Sequence, residues 1–388
     1  RVLFRSQIIP RLGTGLSDSI NIASTNFYWE TVPEYIYDVE SGVLIDSIPV
    51  TAFDTIHIID LRYYNRYVGR LELMSFVTPY GINLDLGMEG KTWTFDVTDF
   101  TPVLRGSKRI VVQYGAWQED MNISFLFIVG TPPHDVIDFR QIWRPPSGGR
   151  SYHSILDDQY FEPRKMYIDP VASYVKLRSV ITGHGQEGEF IPRSHYLDID
   201  GGNHEFVWTE WTECAENPIY PQGGTWIYDR AGWCPGMPSD PAEFDATPYV
   251  TPGDSITIDY GLYTATGSSN YIVNNQMVTY GNPNFTLDAS VVAITAPTNQ
   301  VEYFRTNSIC ANPKVLIRNT GATSLTSLTF DYWVNGATSK ETYTWNGSLD
   351  FLADEEVTLP SPSSLWSTIS TTDNYFHVEI SNPNGGSD

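Results

Sequence analysis

In the stretch Ser255–Tyr263, SITIDYGLY, the apolar Ile256, Ile258, Tyr260 and Leu262 alternate with Ser255, Thr257, Asp259 and Gly261. A period of two sends successive side chains to opposite faces of an extended chain, so this stretch reads as a strand with one face buried. The same alternation returns at Tyr343 and Trp345, and at Phe376, Val378 and Ile380. Val, Ile, Thr and aromatic residues enrich 91–100 (KTWTFDVTDF), 108–117 (KRIVVQYGAW) and 121–130 (MNISFLFIVG), which read as further strands. No long stretch carries a helical period. Short strands punctuated by Gly, Pro, Asn and Asp predict an all-β protein made of sandwiches or jelly rolls.

The chain has 388 residues, and at about 150 residues per domain it divides into two or three. One junction is expected where GTPPHD, with Pro132 and Pro133, follows the apolar SFLFIVG. A second is expected near ITAPTNQ (294–300), beyond which Thr, Ser and Asn accompany alternating strands over the length of an immunoglobulin-like sandwich. The expected domains are therefore 1–134, 135–293 and 294–388. There is no fixed-period repeat and no low-complexity tract.

With 46 acidic against 23 basic residues the net charge is -23, which repels phosphate backbones and argues against nucleic acid as a partner. Apolar content of 41% is enough for folded cores. No apolar run approaches the roughly 18 residues of a membrane-spanning helix, so no membrane insertion is expected. Because the N-terminus lacks an initiator Met and a signal-like block, the chain reads as already processed. Of three cysteines, Cys214 and Cys234 flank a Pro/Gly-rich loop that a disulfide would close, leaving Cys310 over; three reduced cysteines are the alternative. A bridge there would place the chain in an oxidising compartment, secreted or on the cell surface.

Several motifs have to be weighed before any chemistry is assigned. GHGQEG (183–188) satisfies G-x-G-x-x-G after a strand-like segment, but Pro192 and strand-like residues follow where a dinucleotide site needs a helix. LDIDGGN (197–203) has the acidity of a calcium loop, and a turn between two strands accounts for it more simply. The seven histidines show no ligand spacing. What remains is acidic residues interleaved with Trp and Gly. Glu189 lies between Gly-rich and Pro-containing segments, and DRAGWCPGM (229–237) sets Arg230 and Trp233 beside Cys234. Carboxylates that activate water, next to aromatic faces that stack on sugar C–H surfaces, suit carbohydrate chemistry.

These residues carry a family resemblance. ITGHGQEGEFIPRSH (181–195) and ECAENPIYPQGGTWIYDRAGWCPGM (213–237) resemble peptide-N-glycosidase F and its secreted relatives in Bacteroidetes. FVTPYG (76–81), FDVTDF (95–100) and IVGTPP (128–133) fall upstream in the family's order. The resemblance spans about residues 50 to 290. It implies two tandem jelly-roll sandwiches, here followed by an immunoglobulin-like β-sandwich as an accessory module.

What the resemblance implies chemically is hydrolysis of the amide between an N-linked glycan and its asparagine, leaving aspartate on the peptide and a glycosylamine that loses ammonia. The family's principal carboxylate falls on Asp54 in AFDTIHIID as general base, with Asp60 at the end of the same strand as the alternative. Its second carboxylate falls on Glu189, which would orient sugar and water, with Arg230 supporting the pair. Trp117 and Trp233 would line sugar subsites unless they belong to the jelly-roll core, and His184, Arg193 and His195 occupy substrate-binding positions. The resemblance implies no metal and no organic cofactor. The partners implied are an N-glycan or glycopeptide, with contacts to the cell surface or secretion machinery. The sequence departs from the family pattern at several places. Phe53 and Thr55 flank Asp54 where the family has Trp and Arg, Glu187 and Ile191 replace two cysteines around Glu189, and Gly115 replaces an acidic residue before Trp117. A non-catalytic glycan-binding or surface-assembly protein on the same scaffold is the second reading.

Overall fold

The computed structural model describes residues 8–9, 22–59, 62–63, 71–81, 84–88, 90–112, 122–143, 149–300, 303 and 312–386, with the backbone alone described at 8–9, 22–32, 50–59 and 62–63. Strands dominate, as the period-two pattern requires. Near the N-terminus β1 (Ile22–Tyr37) and β2 (Leu44–Ile59) form a long antiparallel hairpin in which Tyr28 faces Asp54. Its turn is tied by Asp38, whose Oδ1 accepts the amide and hydroxyl of Ser41, each at 2.7 Å.

The centre of the chain is a two-sheet sandwich. One sheet has the order β8-β5-β10-β3, from Pro241–Asp245, Tyr174–His184, Asn270–Pro283 and His134–Trp143. The other has the order β7-β6-β9-β4, from His204–Glu210, Arg193–Ile199, Ser255–Leu262 and Arg164–Tyr167. Their inner faces share one core. Ile256, Ile258, Tyr260 and Leu262 are all buried in it against Leu177, Ile181, Leu197 and Val273, so the alternation in β9 does fix which face points inward.

The C-terminal part is a second two-sheet sandwich. Its sheets are β11 (Ala289–Ala296), β12 (Lys314–Asn319) and β15 (Asp354–Thr358), and β14 (Glu341–Leu349), β13 (Leu325–Val334) and β16 (Phe376–Ser381). Phe330, Tyr332, Trp345 and Val357 fill the space between them. The boundary expected at residue 294 falls inside β11, because Val291 and Ile294 pair with Ile317 and Val315 of β12.

Three segments expected as strands differ. Residues 91–97, 108–112 and 122–129 join no ladder among the described residues, and residues 113–121, which link the latter two, are not described. After residue 97 the chain makes a 3-10 turn, Thr98–Phe100, and then a short helix, Thr101–Leu104, with Pro102 in the first turn of that helix, where its missing N–H has no partner to lose. This turn drives Phe100 onto Phe139, ring centroids 4.4 Å apart, and sets Asp99 to accept the hydroxyl of Tyr280 at 2.6 Å and to pair with Lys176 at 2.8 Å. Residues 98–104 are thereby held against the central sandwich.

Candidate active site

Strand β5 ends at His184 and runs into α1, Gln186–Phe190. The GHGQEG stretch is thus the turn between them. A Cβ on Gly183 would lie 2.1 Å from the Gly188 carbonyl oxygen, so only glycine lets the strand end pass so close to the helical turn. The five-residue α1 is too short to serve a pyrophosphate, which settles the dinucleotide pattern as local geometry. Its last turn presents Glu189.

Residues 230–232 run alongside. Gly183 donates to the Ala231 carbonyl at 2.9 Å and Ala231 donates to that of Glu189 at 3.0 Å, while Thr212 and Arg230 exchange backbone bonds of 2.7 and 3.1 Å. The disulfide Cys214–Cys234 closes the intervening loop, and Cys310 lies outside the described residues. Gly232 sits at φ +74°, where a Cβ would meet the Ile181 carbonyl oxygen at 1.9 Å. The loop backbone is therefore fixed on three sides.

From this backbone the Arg230 side chain enters the interior and is completely buried. Its Nε donates to Glu189 Oε1 at 2.8 Å; Nη1 donates to the carbonyl of Tyr228 at 2.5 Å and lies 3.5 Å from that of Trp226; Nη2 donates to the carbonyl of Thr225 at 2.7 Å and to its hydroxyl at 3.0 Å. All five N–H groups are accounted for. Aromatic rings surround the cation: Trp233 at 5.0 Å, Phe190 at 5.1 Å and Tyr80 at 5.8 Å. Glu189 keeps 20% of its side chain exposed. A carboxylate anchored from beneath by a cation and open above is an arrangement able to orient water or a hydroxyl.

His184 stacks on Trp233, centroids 5.9 Å apart, with Nε2 2.8 Å from the Thr182 hydroxyl. Burial pushes its imidazole below the ordinary value, while the nearby Glu189 acts in the opposite sense. Trp233 is buried and donates its indole N–H to the Gly183 carbonyl at 2.9 Å. The chain thus brings Glu189, Arg230, His184 and Trp233 together.

A family model described as the C-terminal part of peptide-N-glycosidase F matches residues 151–300, which contain this cluster. The peptide-N(4)-(N-acetyl-beta-D-glucosaminyl)asparagine amidase F of Elizabethkingia miricola is 26% identical over 262 residues, covering 61% of this chain and 71% of that protein. The chain is thus similar to the peptide-N-glycosidase F family over these residues. Among solved structures, the peptide-N-glycosidase F of Flavobacterium meningosepticum aligns over 71% of this chain and 94% of its own at 17% identity, TM-score 0.42. A structure titled PNGF-II aligns over 38% of this chain and 30% of its own at 19% identity, TM-score 0.30.

Other positions expected from the peptide-N-glycosidase F pattern lie elsewhere. Arg193 donates through Nη2 to the Thr266 hydroxyl at 3.0 Å, beside Glu187 at 4.0 Å, so it braces the turn after β9 and not Glu189. His195 does not reach a ligand surface. It is fully buried, its Nδ1 2.9 Å from the Tyr260 hydroxyl and its ring edge-on to Tyr271, because its position in β6 faces the core. Burial drives its pKa down to about 3, which keeps it neutral. Asp54 lies in β2 with its side chain outside the described residues, and Trp117 and Asp60 lie outside them altogether.

Two features escaped the sequence reading. Glu210, 4% exposed, accepts the indole N–H of Trp208 at 2.8 Å. Burial raises its pKa to about 7, and Asp240 adds to the rise. Asp240, itself raised by burial, accepts the Thr212 hydroxyl at 2.6 Å. The signal for Glu210 was the alternation in β7, which sends Phe206, Trp208 and Glu210 to one face. The second is Tyr80, whose amide donates to Gln222 Oε1 at 2.8 Å and whose carbonyl accepts from Gly223 at 3.2 Å. These bonds bring the FVTPYG segment against the disulfide loop.

Proposed function

We propose that the protein is an extracellular glycan amidase that hydrolyses the glycan–asparagine amide of N-glycoproteins or glycopeptides. The observation that carries this reading is the Glu189–Arg230 pair within the family-matched residues, supported by the name of the curated relative, an asparagine amidase. Amide hydrolysis needs water placed and deprotonated at the carbonyl carbon, then a proton for the departing amine. Glu189 is anchored so that its exposed edge orients water and sugar, Asp54 is the proposed general base with Asp60 as alternative, and Arg230 holds Glu189 in register. Trp117 is the proposed sugar-stacking residue, while Trp233 acts through Arg230 and His184.

The disulfide supports a secreted or cell-surface protein of the Bacteroidetes type, with two jelly-roll domains preceding an immunoglobulin-like accessory module. The decisive experiment is mass spectrometry of a glycopeptide panel after incubation, in which asparagine at the glycosylation site becomes aspartate. The replacement of family cysteines by Glu187 and Ile191 favours the second reading, a non-catalytic glycan binder. That reading predicts binding without conversion.

A further inference from the structure

Glu187 and Glu189 stand two residues apart in α1, and at about 100° per residue their side chains leave opposite faces of the helical turn. Five residues are too few to hold such a turn in water by their own hydrogen bonds, so α1 takes its shape from what packs on it. At Glu189 the support comes from the Arg230 side chain and the Ala231 amide. At Glu187 it comes from residues 263–270, the turn that leads from β9 into β10. This turn approaches closely. A Cβ on Gly267 would overlap the Glu187 carboxylate, one on Gly185 would overlap the Ser268 carbonyl, and one on Gly188 would lie 3.0 Å from the Asn270 nitrogen. Asn270 Nδ2 also donates to the His184 carbonyl at 3.1 Å, just ahead of α1.

Thr266 links the two. A guanidinium can only donate, so Arg193 Nη2 donates to the Thr266 oxygen at 3.0 Å, and the single proton of that hydroxyl goes to Glu187 Oε2. The donors run in one direction, from cation through hydroxyl to carboxylate, with a charge at each end. Without the Glu187 carboxylate, α1 keeps its backbone bonds to Gly185 and Ala231 but loses its side-chain tie to the turn. We propose that Glu187 is a positioning residue: tied through Thr266, it fixes α1 from the face opposite Arg230 and so sets the direction in which the Glu189 carboxylate points. Its effect on turnover rests on the amidase reading; its effect on α1 does not.

The test compares full-length wild type with Glu187→Ala, Glu187→Gln, Thr266→Val and the Glu187→Ala/Thr266→Val double variant. Thr266 is exposed and Glu187 keeps 37% of its side chain exposed, so the variants fold. Amide hydrogen exchange is followed by mass spectrometry over residues 185–191, with β6 as the control, and asparagine-to-aspartate conversion is followed on a glycopeptide. Glu187→Ala and Thr266→Val are each expected to speed exchange at 185–191 about tenfold with β6 unchanged, and to lower kcat about tenfold with KM within about twofold. The double variant is no worse than either single one, as befits two ends of one link. Glu187→Gln still offers Thr266 an oxygen and stays within about threefold of wild type. Unchanged exchange in Glu187→Ala, faster exchange that spreads to β6, or additive losses in the double variant overturn the proposal. So does faster exchange with undiminished kcat in an active protein. If wild type converts no glycopeptide, the amidase reading falls, and exchange alone decides whether Glu187 holds α1.

Discussion

Arg230 donates its Nε–H to Glu189 Oε1 at 2.8 Å while spending its four other N–H groups on Thr225, Trp226 and Tyr228. A guanidinium so used has no donor left for a ligand. Its role is to hold the carboxylate and to fold residues 225–230 around itself.

Arg230→Lys keeps the charge but replaces a planar fork with a point donor that cannot reach Glu189 and the carbonyls together. Turnover is expected to fall about 100-fold, with a lower melting temperature. Arg230→Ala strands the carboxylate and the freed carbonyls and costs about 3–5 kcal/mol of stability. Denaturant unfolding beside initial rates separates the two losses. A lysine variant with wild-type turnover would show that the fork is unnecessary.

Glu189→Gln preserves shape and still offers an oxygen to Arg230, so the loop stays folded. Turnover should drop about 100-fold or more while glycopeptide binding survives. Asp54→Asn should behave alike if Asp54 is the general base; undiminished turnover in that variant moves the assignment to Asp60.

Legibility followed periodicity and local motif. The alternation in SITIDYGLY determined the inward face of β9, and DRAGWCPGM marked the loop that carries Arg230. The enriched segments at 108–112 and 122–129 join no ladder among the described residues, since composition shows that a residue can line a sheet, not that a neighbouring strand is there to pair with it. His195 was misread for a similar reason. Proximity in sequence to Glu189 says nothing about the β6 face on which it stands, and that face is the core.

Losing the Cys214–Cys234 bridge removes a cross-link spanning 20 residues, worth about 3 kcal/mol in the chain-entropy model. Since the closed loop carries Thr225, Tyr228 and Arg230, the double Cys→Ser variant should also lose turnover at temperatures where it remains folded. Non-reducing peptide mapping should find Cys214 joined to Cys234 and Cys310 as a free thiol. Linkage of Cys310 to either partner would refute the pairing.

The C-terminal sandwich is expected to be dispensable for catalysis, provided the cut respects β11. Asn284 still belongs to the centre, donating its amide to the Pro133 carbonyl at 2.7 Å, whereas Val291 and Ile294 pair with β12. Truncation after Asn284 should give soluble protein with intact turnover. Truncation after Ile294 leaves an unpaired apolar strand and should aggregate. Light scattering and rates on both fragments decide the matter, and a folded but inactive shorter fragment would assign the module a catalytic part.

Stability should fall on both sides of mildly acidic pH, through two buried groups with opposite signs. Glu210 has a folded pKa of about 7, above its ordinary 4.5, so the folded state holds its proton more tightly than the unfolded one. The stability from this preference is fully present below 4.5 and is lost as pH rises through 7, a change of about 3 kcal/mol. His195 has a folded pKa of about 3, below its ordinary 6.5, so its contribution is present above 6.5 and is lost as pH falls toward 3, by about 5 kcal/mol. Glu210→Gln keeps an acceptor for the Trp208 indole but has no proton to release. It should therefore remove the decline in melting temperature above about pH 6.5, and between about 4.5 and 6.5, where the rise from His195 offsets the loss from Glu210, it should let the melting temperature climb with pH instead of staying level. A variant that declines as steeply as wild type above about pH 6.5 would place the titrating group elsewhere, with Asp240, also raised by burial and bonded to Thr212, the next residue to change.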